Sequence, residues 1–105
     1  MSEPTRLEKL RGMLEKSPGD TFLLYAMGLE YRKLGDAPAA LEFLDRVIQH
    51  DWGYSYAYLQ KGQVLESSGD LDRAREAYRQ GIAAATRKGD QHAAEEIAAA
   101  LAMIE

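Results

Sequence analysis

Two histidines offer the first chemistry to test, His50 and His92, the second followed by Glu95 and Glu96. Residues three and four apart share a helical face, so a helix over this stretch would set one imidazole beside two carboxylates. A protein-bound zinc ion needs three or four converging ligands. No second histidine lies near His92 in sequence, and the chain has no cysteine, so the pattern predicts a surface pair and no metal. His50 falls where a helix is expected to end, and an imidazolium there would suit the negative end of the helix dipole. G-x-S-x-G, H-E-x-x-H, the P-loop and the dinucleotide fingerprint are all missing. The carboxylates read as helix caps and surface pairs. A catalytic site would have to be composite, drawn from helices distant in sequence. No catalytic residue and no cofactor is therefore assigned, and the chain is expected not to be an enzyme.

Arg73, Arg75, Arg79, Arg87 and Lys88 form the densest basic run. Single-stranded nucleic acid wants such charges on one face with aromatic platforms between them. Here Asp72 and Glu76 interrupt the run, which predicts a solvated helix face. The net charge of −4 over 105 residues also points away from polyanionic partners. It is unevenly spread: residues 21–54 sum to −2, 55–88 to +2 and 89–105 to −4. The longest apolar stretch, Phe22 to Leu29, is far short of the ~20 residues of a membrane span. The opening residues MSEPTRLEKL lack the apolar core of a secretion signal. The expectations are a single domain over 1–105, a cytoplasmic location, and neither a nucleic-acid nor a membrane partner.

Whatever positions a functional residue here is a helix. Gly-Asp occurs four times, at Gly19-Asp20, Gly35-Asp36, Gly69-Asp70 and Gly89-Asp90. Glycine just past a helix end takes the left-handed conformation without a Cβ penalty, and the following aspartate can cap the next helix. Apolar spacing between these signals predicts helices over 4–16, 21–34, 37–49, 54–68, 71–87 and 91–104. Leu7, Leu10 and Leu14 mark the buried face of the first, with Met13 as an optional fourth member. Ala37, Ala40, Leu41, Leu44, Val47 and Ile48 mark that of the third. The fifth offers Leu71, Ala74, Tyr78, Gly81, Ile82 and Ala85, and the last Ala93, Ala94, Ile97, Ala98, Leu101 and Ile104. Gly81 inside a helix costs up to ~1 kcal/mol against alanine, so a close helix approach is expected there.

The chain also repeats. Sliding 21–54 onto 55–88 aligns Gly28 with Gly62, Gly35 with Gly69, Asp36 with Asp70, Ala40 with Ala74, Glu42 with Glu76 and Ile48 with Ile82. This 34-residue period and its residue pattern resemble the tetratricopeptide repeat (TPR), W-x2-L-G-x2-Y…A-x3-F…P. Leu24, Met27, Gly28, Tyr31, Ala40 and Leu44 fill the first copy, and Tyr58, Lys61, Gly62, Leu65, Ala74 and Tyr78 the second. Leu24 and Tyr58 stand for the Trp, Lys61 for the Leu, and Trp52 and Thr86 for the closing Pro. One register earlier, Pro18 takes that closing place. The resemblance implies an all-α fold, a right-handed α-solenoid of two TPR helix pairs at 21–54 and 55–88. An N-terminal half-repeat helix in 1–20 and a C-terminal capping helix in 89–105 would flank them.

In this family one face of each repeat's first helix lines a concave groove that grips peptides. Phe22, Tyr25 and Leu29 form a second apolar face on the helix at 21–34, ending at Arg32 and Lys33. The matching positions in the next repeat are Tyr56, Leu59, Gln63, Glu66 and Ser67. These residues are the candidate partner-binding groove, aromatic at one end and polar at the other. Some TPR proteins hold acidic C-termini in a clamp of Lys, Asn and Arg, but here the first clamp positions are Tyr25 and Leu29. An apolar or mixed segment of another protein is the expected ligand. A homodimer through the groove or the terminal helix is the alternative, and an enzyme with a composite site a distant third.

Overall fold

A computed structural model describes residues 5–105, which form six helices and no strand. They are α1 Arg6–Lys16, α2 Thr21–Lys33, α3 Ala37–His50, α4 Ser55–Ser67, α5 Leu71–Lys88 and α6 Gln91–Ala102. The expected start of the first helix at residue 4 lies outside the described residues; within them, Thr5 caps α1 by accepting from the Glu8 N–H. The last helix stops at Ala102, short of the expected 104.

All four predicted aspartate caps form. Asp20, Asp36, Asp70 and Asp90 accept from the main-chain N–H of Leu23, Ala39, Arg73 and Ala93 at 3.1–3.2 Å. Each satisfies one of the donors that a helix start leaves without a partner. The glycine half of the signal holds at Gly35, Gly69 and Gly89, with φ of 80°, 81° and 84°, and fails at Gly19. There α1 has already ended at Ser17, and the Asp20 N–H closes a turn onto the Ser17 carbonyl. Pro18 and Gly19 are the central residues of that turn, and Gly19 has no positive φ. The α3–α4 junction uses other chemistry. Tyr54 caps α4 without a side-chain hydrogen bond, and Asp51 holds the turn by accepting from Gly53 N–H.

Packing runs from one helix to the next. The α1 backbone approaches only α2, and the chain continues pairwise through α3, α4, α5 and α6. Beyond these neighbours only the α2 and α4 and the α4 and α6 backbones come close, whereas the backbones of α1, α3 and α5 stay apart and α1 meets α3 only through side chains such as Leu14 and Phe43. The stack therefore curves around its even-numbered helices, which form the inner wall of a body 48 × 29 × 19 Å in extent.

Glycines set the closest approaches. A Cβ added at Gly62 would overlap the Tyr78 ring, and one at Gly81 would lie 2.6 Å from Tyr58 Cβ. Each helix of the α4–α5 pair thus seats its tyrosine on the other's glycine, which is why Gly81 is tolerated in mid-helix. Gly28 plays the same part against Leu44. Leu24, Ala40, Leu44, Val47 and Ala57 fill one buried cluster, and Leu65, Ala74, Ala77, Tyr78, Ile97 and Leu101 another. Three expected core residues face outward. Met13 is 49% exposed and Leu71 40%, and Ala98 is also exposed. Met13 and Ala98 each follow or precede a core position by one residue, about 100° around the helix, and Leu71 sits at the first turn of α5, beyond the reach of its neighbours.

Candidate functional site

The inner wall carries the groove residues on α2 and α4. Tyr25, Leu29, Arg32, Tyr56, Leu59 and Gln63 are all half-buried, packed at their bases and open above. Tyr25 stacks obliquely on Tyr54, ring centroids 4.9 Å apart, and packs with it against the first core cluster. Leu59 packs against the second. Phe22 is 68% exposed and belongs to no buried cluster. Lys33 is exposed and forms no ion pair among the described residues.

Arg32 joins the two helices. Its Nη1 donates to Gln60 Oε1 and, at 2.7 Å, to Gln63 Oε1. A guanidinium has no acceptor, so both glutamines must turn their carbonyls toward it. The Tyr25 hydroxyl lies beside this network: burial pushes its pKa up, and the neighbouring Gln60 side chain and the Arg32 charge work the other way. Next to Arg32 a cleft of about 300 Å³ opens between the ends of α2 and α4, lined also by Gly35, Ala37, Val64, Ser67 and Ser68.

Glu66 accepts from the Tyr78 hydroxyl at 2.9 Å. Burial and this carboxylate both push the Tyr78 pKa far up. Tyr56 donates to Glu96 at 3.1 Å, and the same carboxylate oxygen lies 2.6 Å from His92 Nε2. Glu95 instead receives Gln91, and no three potential metal ligands converge among the described residues. His50 ends α3, exposed beside Gly19. The basic run of α5 is dispersed: Arg73 pairs with Asp70, Arg75 with Asp72 and Arg79 with Glu105. Arg87 stacks over Trp52 at 4.3 Å, and Lys88 donates to the Gly53 carbonyl.

Sequence comparison bears on what such a wall is for. A family model described as tetratricopeptide repeat matches residues 55–87. A TPR repeat-containing protein of Pseudomonas aeruginosa is 36% identical over 91 residues, which cover 87% of each chain. The chain belongs to the tetratricopeptide repeat family. Solved structures agree with this. A Bordetella parapertussis protein superposes with a TM-score of 0.84 at 30% identity, over 97% of this chain and 89% of its own. A TPR domain protein of Salinibacter ruber gives 0.78 at 31% identity, over 84% of this chain and 89% of its own. The fold is thus a helical repeat solenoid, and TPR repeats are in general protein–protein interaction modules. Folds of this family are typically scaffolds without catalysis. No helix among the described residues is long and apolar enough to cross a membrane.

Within this TPR wall the sequence reading missed Gln60, Tyr54, Ser68 and Glu96. Gln60 was within reach, because 56, 60 and 63 share one helical face. Tyr54 precedes α4, and Glu96 meets Tyr56 only through tertiary packing across 40 residues of sequence, so neither had a periodic signal.

Proposed function

We propose that this TPR protein is a docking module whose concave face receives a segment of another protein. The observation that carries the proposal is the second apolar face of α2. Tyr25 and Leu29 are packed at their bases yet open to the groove, and Phe22 beside them is 68% exposed. Half-open aromatic and aliphatic side chains beside polar hydrogen-bonding groups are the usual anatomy of a recognition surface. Phe22, Tyr25, Leu29, Tyr56 and Leu59 would contact the apolar part of the segment, and Arg32, Lys33, Gln63 and Glu66 its polar part.

Affinity capture from the source cells, run in parallel with the native chain and a Tyr25→Ser/Leu29→Ser variant, tests this. The expected outcome is one or a few proteins retained by the native chain and lost with the variant, whose helical circular dichroism stays unchanged. Identical capture by both would refute the groove. Self-association is the competing use of the same surface, favoured by the exposure of Phe22. Light scattering across a concentration series separates the two: a dimer dissolved by the same double substitution would assign the groove to a second copy.

A further inference from the structure

We infer that the groove recognises a carboxylate side chain, an Asp or Glu inside an otherwise apolar segment, through Arg32; this rests on the docking function proposed above. Every arginine outside the groove already has a partner of its own. Arg6, Arg73, Arg75 and Arg79 pair with carboxylates, Arg11 donates to the Tyr31 hydroxyl, and Arg46 and Arg87 lie over aromatic rings. Arg32 alone is held in the groove by neutral amides, and no carboxylate lies within ion-pair distance of it among the described residues.

The hydrogen-bond polarity is one-directional. Both glutamine carbonyls are turned onto Nη1 of Arg32. What the network still offers to the groove is mainly donors: the remaining guanidinium N–H groups and the Gln60 and Gln63 amides. Such a surface wants an acceptor with several lone pairs, and a guanidinium fork matches a carboxylate in two parallel hydrogen bonds. The glutamines fix the guanidinium in advance, so less side-chain freedom is lost on binding.

Two carboxylates of the inner wall are engaged elsewhere, Glu66 with Tyr78 and Glu96 with Tyr56 and His92. Arg32 lies along the groove between the Tyr25–Tyr54 aromatic pair and the cleft lined by Ser67 and Ser68. A segment in the groove therefore continues past the arginine on both sides, which selects a side-chain carboxylate over a chain terminus.

The test is selection from a display library of random dodecapeptides embedded between constant flanks, so that no peptide has a free end. Native protein, Arg32→Gln and Tyr25→Ser/Leu29→Ser are run side by side, with thermal melts verifying that each folds. The inference expects native selections enriched in Asp or Glu at one register beside apolar residues, and an Arg32→Gln selection without that acidic preference. A selected peptide, synthesised with amidated ends, should bind Arg32→Gln about tenfold more weakly than native, and its Glu→Gln form should lose a similar factor with native protein. Arg32→Lys should recover part of the affinity, because it restores charge but not the fork. Enrichment of apolar peptides without an acid overturns the carboxylate and leaves the docking groove standing. If the native protein enriches nothing beyond the Tyr25→Ser/Leu29→Ser control, both fall. Tight binding only by peptides with a free terminus overturns the side-chain assignment.

Discussion

Tyr78 is at once a packing element and a hydrogen-bond donor, its ring on Gly62 and its hydroxyl on Glu66. With Tyr25, Tyr54, Tyr56 and Tyr58 it belongs to a set of phenols whose pKa is raised above 10.0, chiefly by burial. The folded chain keeps these protons at a pH where the unfolded chain releases them. Their stabilisation is therefore intact below pH 10 and lost above it. Melting temperature should be flat in this respect from neutrality to pH 9 and fall progressively as the pH rises above 10. Tyr78→Phe should melt lower at neutral pH by about 1 kcal/mol, the worth of its hydrogen bond, yet lose less of its remaining stability on alkaline titration. An equal alkaline drop in both proteins would contradict the assignment.

Glycine positions make a second contrast at this scale. Gly12 lies on α1 with nothing within 4 Å of an added Cβ, whereas at Gly81 that Cβ would press on the unyielding Cβ of Tyr58. Urea unfolding should show Gly12→Ala stabilised by about 0.5–1 kcal/mol and Gly81→Ala destabilised by about 2–3 kcal/mol.

Helices and their ends were the most legible level. Capping depends on a short side chain a fixed number of residues from its acceptor, so Asp20, Asp36, Asp70 and Asp90 could be assigned from sequence alone. Asp70→Ala should cost about 1 kcal/mol in a denaturant titration; a neutral result would mean that α5 starts without help from its cap. Gly19 was misjudged because Pro18 before it favours a different turn from the one that ends α2, α4's counterpart at Gly69, or α5. Met13 and Ala98 were misjudged because periodicity gives a direction around a helix but not how far the neighbouring helices extend. The groove was legible only in part for the same reason. Positions 25, 29 and 32 share a face by spacing, but the bridge from Arg32 to Gln60 and Gln63 crosses two helices and has no signature in either.

At the scale of the molecule, contacts are almost entirely between neighbours, so stability is expected to vary along the stack. The helix α1 rests mainly on α2, through Leu10 and its partners Leu23, Ala26 and Met27, with Phe43 of α3 at the edge. Hydrogen exchange should therefore open α1 first, well before α4 and α5. Leu10→Ala, which removes a nearly fully buried side chain, should cost about 2–3 kcal/mol locally and free the α1 amides while leaving protection in α4 and α5 unchanged. Uniform loss of protection along the chain would show one cooperative unit instead.

The reciprocal seating of Tyr78 on Gly62 and Tyr58 on Gly81 also has a kinematic meaning. Two helices that each hold a knob in the other's notch cannot slide along, or roll over, their shared axis without lifting apart. The α4–α5 pair is geared. The α2–α3 pair meshes in only one direction, Leu44 on Gly28, because Val47 occupies the place that Gly81 holds in the second repeat. Any change in the aperture of the inner wall must then be made where no such gearing exists, at the α3–α4 junction. Arg32 spans that seam with a tether from α2 to α4, so the width of the groove and the position of its cation change together.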